Sequence, residues 1–296
     1  METALDYTRR LLRQGAQAKK SLGQNFLVDD RVIEKIADLS TAEFNRPLVE
    51  IGPGLGALTR ILVRRVARLW AVELDASKIS LLQRELQGLP LELLHRDALS
   101  LDLREIWGEG RGYLVGNLPY YITSPLIHHF LDQAECLEGM TLMVQKEVAD
   151  RLVASPGGRD YGVLTVAVRL AAEVSKVMTV PASSFWPQPK VDSAVVNMVM
   201  RPYPGFGVDR QAFFRVVRAA FSQRRKTLAN SLAAGLTLSK EQAVALLQRA
   251  GIEAGRRAET LAIEELQVLT AAYLDVCPWQ EKSEVGGQKS EVGGKK

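Results

Sequence analysis

Cysteine is almost absent from this 296-residue chain: Cys136 and Cys277 are the only two. They lie far apart and outside any CxxC spacing, which argues against a disulfide framework or a cysteine zinc site and fits a reducing, cytoplasmic location. Histidine is scarce as well. His95, His128 and His129 show no i,i+4 pair of the kind that grips a metal on a helix, so no metal is expected. No apolar run reaches eighteen residues, so no transmembrane helix and no membrane partner are expected. The first twelve residues carry Arg9 and Arg10 but no apolar core for a secretory signal. Glu2 and Asp6 speak against an organellar transit peptide. What the chain does have is ordinary: 47% hydrophobic and 24% charged residues with a formal net charge of +4, enough to bury a core and compatible with a polyanionic partner.

The hydrophobic pattern alternates between short buried runs and amphipathic stretches. Residues 29–39 read as a helix capped by Asp29 or Asp30. Strands follow at Leu48–Ile51, at 69–75 (LWAVELD), at 91–97 (LELLHRD), and at 112–121 (GYLVGNLPYY) running into a turn. Helices are expected from about Ala57, over ASKISLLQREL and from SPLIHHFLD, where Pro125 sits in a first turn. MTLMVQKEVADRLVA supplies a fifth strand and another helix, and 191–200 (VDSAVVNMVM) alternates as an edge strand would. Such alternation predicts an α/β fold with a mostly parallel, doubly wound sheet. Residues 208–276 change character, with helical periodicities and no strand signal. The expected organisation is therefore a catalytic domain over 1–204, a small all-helical domain over 205–280 and a disordered tail over 281–296. That tail holds a tandem copy of KSEVGG and no apolar face.

Gly52, Gly54 and Ala57 follow the first strand in a G-x-G-x-x-A arrangement, and Glu73 ends the second strand about twenty residues on. That pattern serves nicotinamide and S-adenosylmethionine alike. Glycine lets the backbone approach a ligand, and the acid accepts from ribose hydroxyls. The fuller E-x-G-x-G-x-G run, Glu50 to Gly56, and the third strand ending near Asp97 favour S-adenosylmethionine.

Asn117-Leu118-Pro119-Tyr120 lies at the carboxyl end of the fourth strand, where open α/β sheets bind ligands. The tetrapeptide resembles the (N/D)-(P/I/L)-P-(Y/F) signature of amino-methyltransferases acting on planar nitrogen, and the chemistry of methylating an aromatic amine explains these residue types. The adenine N6 lone pair is delocalised into the ring and needs orientation. The Asn117 amide oxygen and the Leu118 carbonyl can hold its two N–H groups, Pro119 fixes the turn without adding a competing donor, and Tyr120 offers a stacking face. A second aromatic is expected in 180–196 (VPASSFWPQPKVDSAVV). Phe185 and Trp186 both remain open as candidates at this point.

KKSLGQNFLVDD, VEIGPGLGALT, VGNLPYYITSPL, MVQKEVADRLVA, VPASSFWPQPKVDSAVV and FSQRRKTLANSL together resemble the KsgA/RsmA family of small-subunit rRNA adenine dimethyltransferases, over about residues 15 to 276. The resemblance implies dimethylation of N6 on two adjacent adenines in the 3′-terminal hairpin of 16S rRNA, within an immature small subunit, by a monomer using S-adenosylmethionine. It implies that Asn25 and Leu27 lie against the cofactor, with Gly52, Glu73, Asp97 and Asn117, and it favours Phe185 over Trp186 at the base. Arg224, Arg225 and Lys226 of FSQRRKTL are candidate RNA contacts. So are Arg9, Arg10, Arg13, Lys19 and Lys20. Two other readings stand beside this one: a large-subunit rRNA adenine methylase of the antibiotic-resistance type, and an assembly or transcription factor that keeps the fold for binding.

Overall fold

The computed structural model describes residues 2–19, 22–42, 46–201 and 208–276. Lys20, Cys277, the stretch 202–207 and the expected tail over 281–296 lie outside the described residues. The chain divides into two compact units, Met1–Pro204 and Gly205–Lys296.

In the first unit the strands are β1 (Phe26–Leu27), β2 (Leu48–Ile51), β3 (Leu69–Glu73), β4 (Leu91–His95), β5 (Gly112–Asn117), β6 (Leu137–Gln145), β7 (Ala172–Val180), β8 (Phe185–Trp186) and β9 (Ser193–Met200). Seven of them form one sheet in the order β4-β3-β2-β5-β6-β9-β7. β4 through β6 pair in parallel, while β9 runs antiparallel to both β6 and β7. The central strands are buried throughout, with LVEI of β2 lacking any exposed residue, because helices cover both faces. The helices of this unit are α1 (Ala4–Arg13), α2 (Asp30–Ser40), α3 (Thr59–Leu62), α4 (Ala76–Glu85), α5 (Arg104–Trp107), α6 (Thr123–Leu131), α7 (Lys146–Leu152) and α8 (Val163–Ala171).

The chain leaves β2 for β3 and β4 on one side of the sheet, then crosses to β5 on the other. Order therefore reverses between β2 and β5, and that reversal opens a crevice beyond their carboxyl ends. Gly52 and Asn117 stand on its two lips. A Cβ placed on Gly52 would lie 3.7 Å from the Asn117 carbonyl oxygen.

Two expectations need correction, and one helix is new. The 191–200 stretch is not an edge. β9 is hydrogen-bonded on both sides, and most of its residues are buried. The edge on that side is β7, AEVSKVMTV, whose polar residues face solvent and hide the strand from a hydrophobic pattern. The helix after the glycine turn begins at Thr59 and lasts four residues. α1 is an addition: Thr3 caps it by accepting from the Asp6 N–H, and Arg60 lies over the Tyr7 ring, 4.8 Å from its centroid.

The second unit is helical over its described residues: α9 (Arg210–Ala220), α10 (Leu228–Leu236), α11 (Lys240–Arg249) and α12 (Ile263–Val276). Its core is built from one face of each, including Phe213, Val217, Leu232, Leu247 and Leu269, all essentially inaccessible. α10 approaches α9 closely at Gly235, where a Cβ would fall 2.5 Å from the Ala219 Cα.

Candidate active site

An open-mouthed cavity of about 1100 Å³, counted out into the solvent at its mouth, fills the crevice between β2 and β5. Its walls bring together residues from five separate stretches: Asn25 and Leu27, Gly52, Glu73, Asp97, and Asn117 to Tyr120. Every expected cofactor residue is therefore on one surface.

Gly52 and Gly54 turn the chain at φ of +67° and +57°, a region closed to most side chains. The turn brings the Gly54 N–H to Glu73, where it donates to Oε2 at 3.2 Å, and the Asp75 N–H donates to Oε1 at 2.9 Å. These bonds hold the carboxylate in place in the wall of the cavity. Burial raises the Glu73 carboxyl from its ordinary value, and the backbone donors of Asp75 and Gly54 oppose that rise. Glu50 also lines the cavity. It is 2% exposed, and its Oε2 has no hydrogen-bond partner. Two carboxyls on one wall, one of them unsatisfied, fit a ligand that brings hydroxyl donors and positive charge. Asp97 follows β4 and accepts the Leu99 N–H on Oδ1 at 2.9 Å, which leaves Oδ2 for a ligand donor.

Asn117 is oriented by its neighbours. Its Nδ2 donates to the Asn25 carbonyl at 3.0 Å, and because a carbonyl can only accept, the side-chain oxygen must be the atom left over. The Leu118 N–H donates to the Met143 carbonyl at 3.1 Å. The Leu118 carbonyl accepts nothing among the described residues. Two free acceptors thus belong to adjacent residues that line the cavity. The Tyr120 hydroxyl is tied to Ser193 Oγ at 2.7 Å, which anchors the far end of a side chain that also lines the cavity.

Phe185 stands apart. It is 4% exposed, belongs to the core cluster containing Leu27 and Met143, and does not line the cavity, whereas Trp186 is 43% exposed. The link to the site is through backbone. β8 pairs antiparallel with β1, setting Leu27 opposite Phe185 and Phe26 opposite Trp186, and Ser184 Oγ donates to Asp29 at 2.9 Å. Sequence reasoning missed this pairing, and it missed Glu50 as a site residue although the E-x-G-x-G-x-G pattern begins there.

Arg224, Arg225 and Lys226 are exposed on the turn between α9 and α10 and have no acidic partner among the described residues. The amino-terminal candidates differ among themselves. Arg10 is spent on Glu2 and Glu85 and Lys19 on Asp75, while Arg9 and Arg13 are exposed. Among the described residues no group of three or more His, Cys, Asp or Glu side chains could hold a metal ion, and no helix is long and apolar enough to cross a membrane.

Known proteins share this arrangement. The solved structure of a dimethyladenosine transferase from Plasmodium falciparum superposes with a TM-score of 0.72 at 25% identity, over 84% of this chain and 98% of that one. The 23S rRNA methyltransferase ErmE gives 0.63 at 28% identity, over 84% and 99%. In sequence, the ribosomal RNA small subunit methyltransferase A of Desulfitobacterium hafniense (strain DSM 10664 / DCB-2) is 61% identical over 274 residues, which is 93% of this chain and 99% of that protein. Its namesake from Geobacter metallireducens is 46% identical over 267 residues, 88% and 97% of the two chains. Residues 15–273 match the profile described as ribosomal RNA adenine dimethylase. With that match spanning both units and such identity along nearly the whole length, the chain belongs to the ribosomal RNA adenine dimethylase family.

Proposed function

We propose that this protein transfers methyl groups from S-adenosylmethionine to N6 of two adjacent adenines in the 3′-terminal hairpin of 16S rRNA, dimethylating each. It does so as a monomer, in the cytoplasm, on an immature small ribosomal subunit. The observation that carries the reading is the pair of free acceptors, Asn117 Oδ1 and the Leu118 carbonyl, beside two cavity-lining carboxyls. The small-subunit name of the curated relatives favours this substrate over large-subunit RNA.

When bound, S-adenosylmethionine supplies a methyl group already activated on a sulfonium. The protein has to hold and aim. Glu73 would accept from the ribose hydroxyls, Asp97 from the adenine amine of the donor, and Gly52 would let the chain approach. Asn25 and Leu27 would close against it from the opposite wall. The target adenine, unpaired in a loop and cheap to extrude, would lie on Tyr120 and give its two N6 hydrogens to Asn117 Oδ1 and the Leu118 carbonyl. Those bonds turn the nitrogen lone pair toward the methyl. The proton is lost after attack, so no strong base is required. For Phe185 we propose the second face of a sandwich on the base opposite Tyr120, which requires the ring, buried off the cavity, to turn toward it on binding, and for Arg224, Arg225 and Lys226 phosphate contacts.

The test is labelled-methyl transfer to undermethylated small subunits, with large-subunit RNA and Asn117→Ala run alongside. The expected product is N6,N6-dimethyladenine in small-subunit RNA. The variant should lose on the order of a hundredfold or more in rate, the scale of removing one transition-state hydrogen-bonding group. Transfer only to large-subunit RNA would refute the substrate. Tight subunit binding with no transfer would leave the assembly-factor reading in its place.

A further inference from the structure

Asp75 caps α4, its Oδ1 accepting the Ser77 N–H at 3.0 Å and the Ser77 hydroxyl at 2.7 Å. Capping can be done by an exposed side chain, yet this one is 3% exposed and collects donors from a different part of the chain. Lys19 Nζ donates to Oδ1 at 2.8 Å and Gln24 Nε2 to Oδ2 at 3.3 Å. Lys78, 2% exposed, stands 3.8 Å from Oδ2, donates to the Gln17 carbonyl at 2.6 Å and lies over the Phe26 ring, 5.7 Å from its centroid. Gln24 Oε1 in turn accepts the Lys19 N–H at 2.9 Å. Burial works against ionisation of Asp75, but the donors Lys19, Ser77 and Gln24 outweigh it and hold the carboxyl well below its ordinary value.

Gln17, Lys19, Gln24 and Phe26 are thus all tied to one turn of α4, and none of Lys19, Asp75 and Lys78 lines the cavity. The cavity residues Asn25 and Leu27 follow directly. The Asn25 carbonyl is the group that orients Asn117. We propose that Asp75 and Lys19 are positioning residues for the methyl donor, an ion pair outside the cavity that holds Asn25 and Leu27 against the bound ligand. This rests on the reading of the cavity given above. Because Lys19 is about half exposed, the pair is open to screening by salt.

The experiment measures affinity of the full chain for S-adenosylmethionine by calorimetry at low and high sodium chloride, with Tm and steady-state kinetics alongside. The variants are Lys19→Ala, Lys19→Arg and Asp75→Asn. Lys19→Ala should weaken donor binding and raise the donor KM by about 5- to 30-fold, the lower part of the range of coupling between linked sites. Its kcat at saturating donor should stay within about twofold, while its Tm falls because the buried carboxylate loses a partner. Lys19→Arg should restore most of the affinity. Wild-type binding should weaken with salt more steeply than that of Lys19→Ala, and Asp75→Asn should behave like Lys19→Ala. Donor affinity unchanged in Lys19→Ala, or a fall in Tm without loss of affinity in Asp75→Asn, overturns the proposal alone. A wild-type chain with no affinity for S-adenosylmethionine overturns the functional reading and the proposal together.

Discussion

Glu50 offers a measurement whose size follows from its surroundings. The side chain sits at 2% exposure with Oε2 unpartnered. Burial, helped by the negative charge of Glu73, pushes its carboxyl up from 4.5 to about 8. Below pH 4.5 the carboxyl is protonated in the folded and unfolded chain alike, and burial carries no ionisation cost. Between 4.5 and about 8 the unfolded chain ionises first, so stability is lost as pH rises, and the loss is complete above the folded value. At about 1.4 kcal/mol per pH unit the interval amounts to roughly 5 kcal/mol, comparable to the whole stability of many domains. Glu50→Gln keeps the shape and removes the ionisation. Urea unfolding of ligand-free protein at several pH values from 5 to 9 should show the variant gaining on wild type by several kcal/mol across that range. Titrating groups other than Glu73, which is coupled to Glu50, cancel in the difference. The same charge logic applies to the ligand: a cationic methyl donor favours ionised Glu50, so donor binding to wild type near pH 7 should release a proton that Glu50→Gln does not. A wild-type-minus-variant difference that stays flat from pH 5 to 9 would refute the account of Glu50 as a buried, proton-holding carboxyl.

Two further outcomes concern the RNA. Phe185→Leu keeps most of the core volume but removes the ring; it should raise the KM for small subunits about 5-fold or more, in line with roughly 1–3 kcal/mol per stacked base, while donor affinity holds. Trp186→Leu should change little, and the opposite ranking would make Trp186 the partner of the base. Replacing Arg224, Arg225 and Lys226 together by glutamine should flatten the dependence of log affinity on log salt by about two to three, near one for each phosphate left without its cation. An unchanged slope would mean that this turn does not touch RNA.

The parts of the site that could be read from sequence are those whose geometry is local. Leu48–Ile51 is a short buried strand with three apolar residues in four, and the structure has it at those bounds. The glycines after it are required by a turn that closes within a few residues. Asn117 to Tyr120 ends a strand whose hydrophobicity announces it. β7 escaped because an edge strand exposed on one side need not be apolar, and Glu173, Ser175, Lys176 and Thr179 break the pattern. α3 stops after one turn, although the residues that follow it look helical in isolation.

What escaped most completely is the set of contacts that assembles the cavity wall opposite Glu73. Leu27 meets Phe185, and Ser184 bonds Asp29 across 155 positions of sequence. No periodicity encodes such a meeting, since each partner is two residues of strand with no pattern of its own. Lys19 illustrates the same limit from the side of charge. In sequence it belongs to a basic pair suited to phosphate, but in the fold a buried carboxylate claims it, because an unpaired Asp75 at that depth would be far more costly than a solvated lysine. Charge runs near a terminus are therefore a weak guide to nucleic-acid contact until the acids that could absorb them are located. By that criterion, Arg224, Arg225 and Lys226, exposed and without acidic partners among the described residues, are the stronger place to look for the RNA.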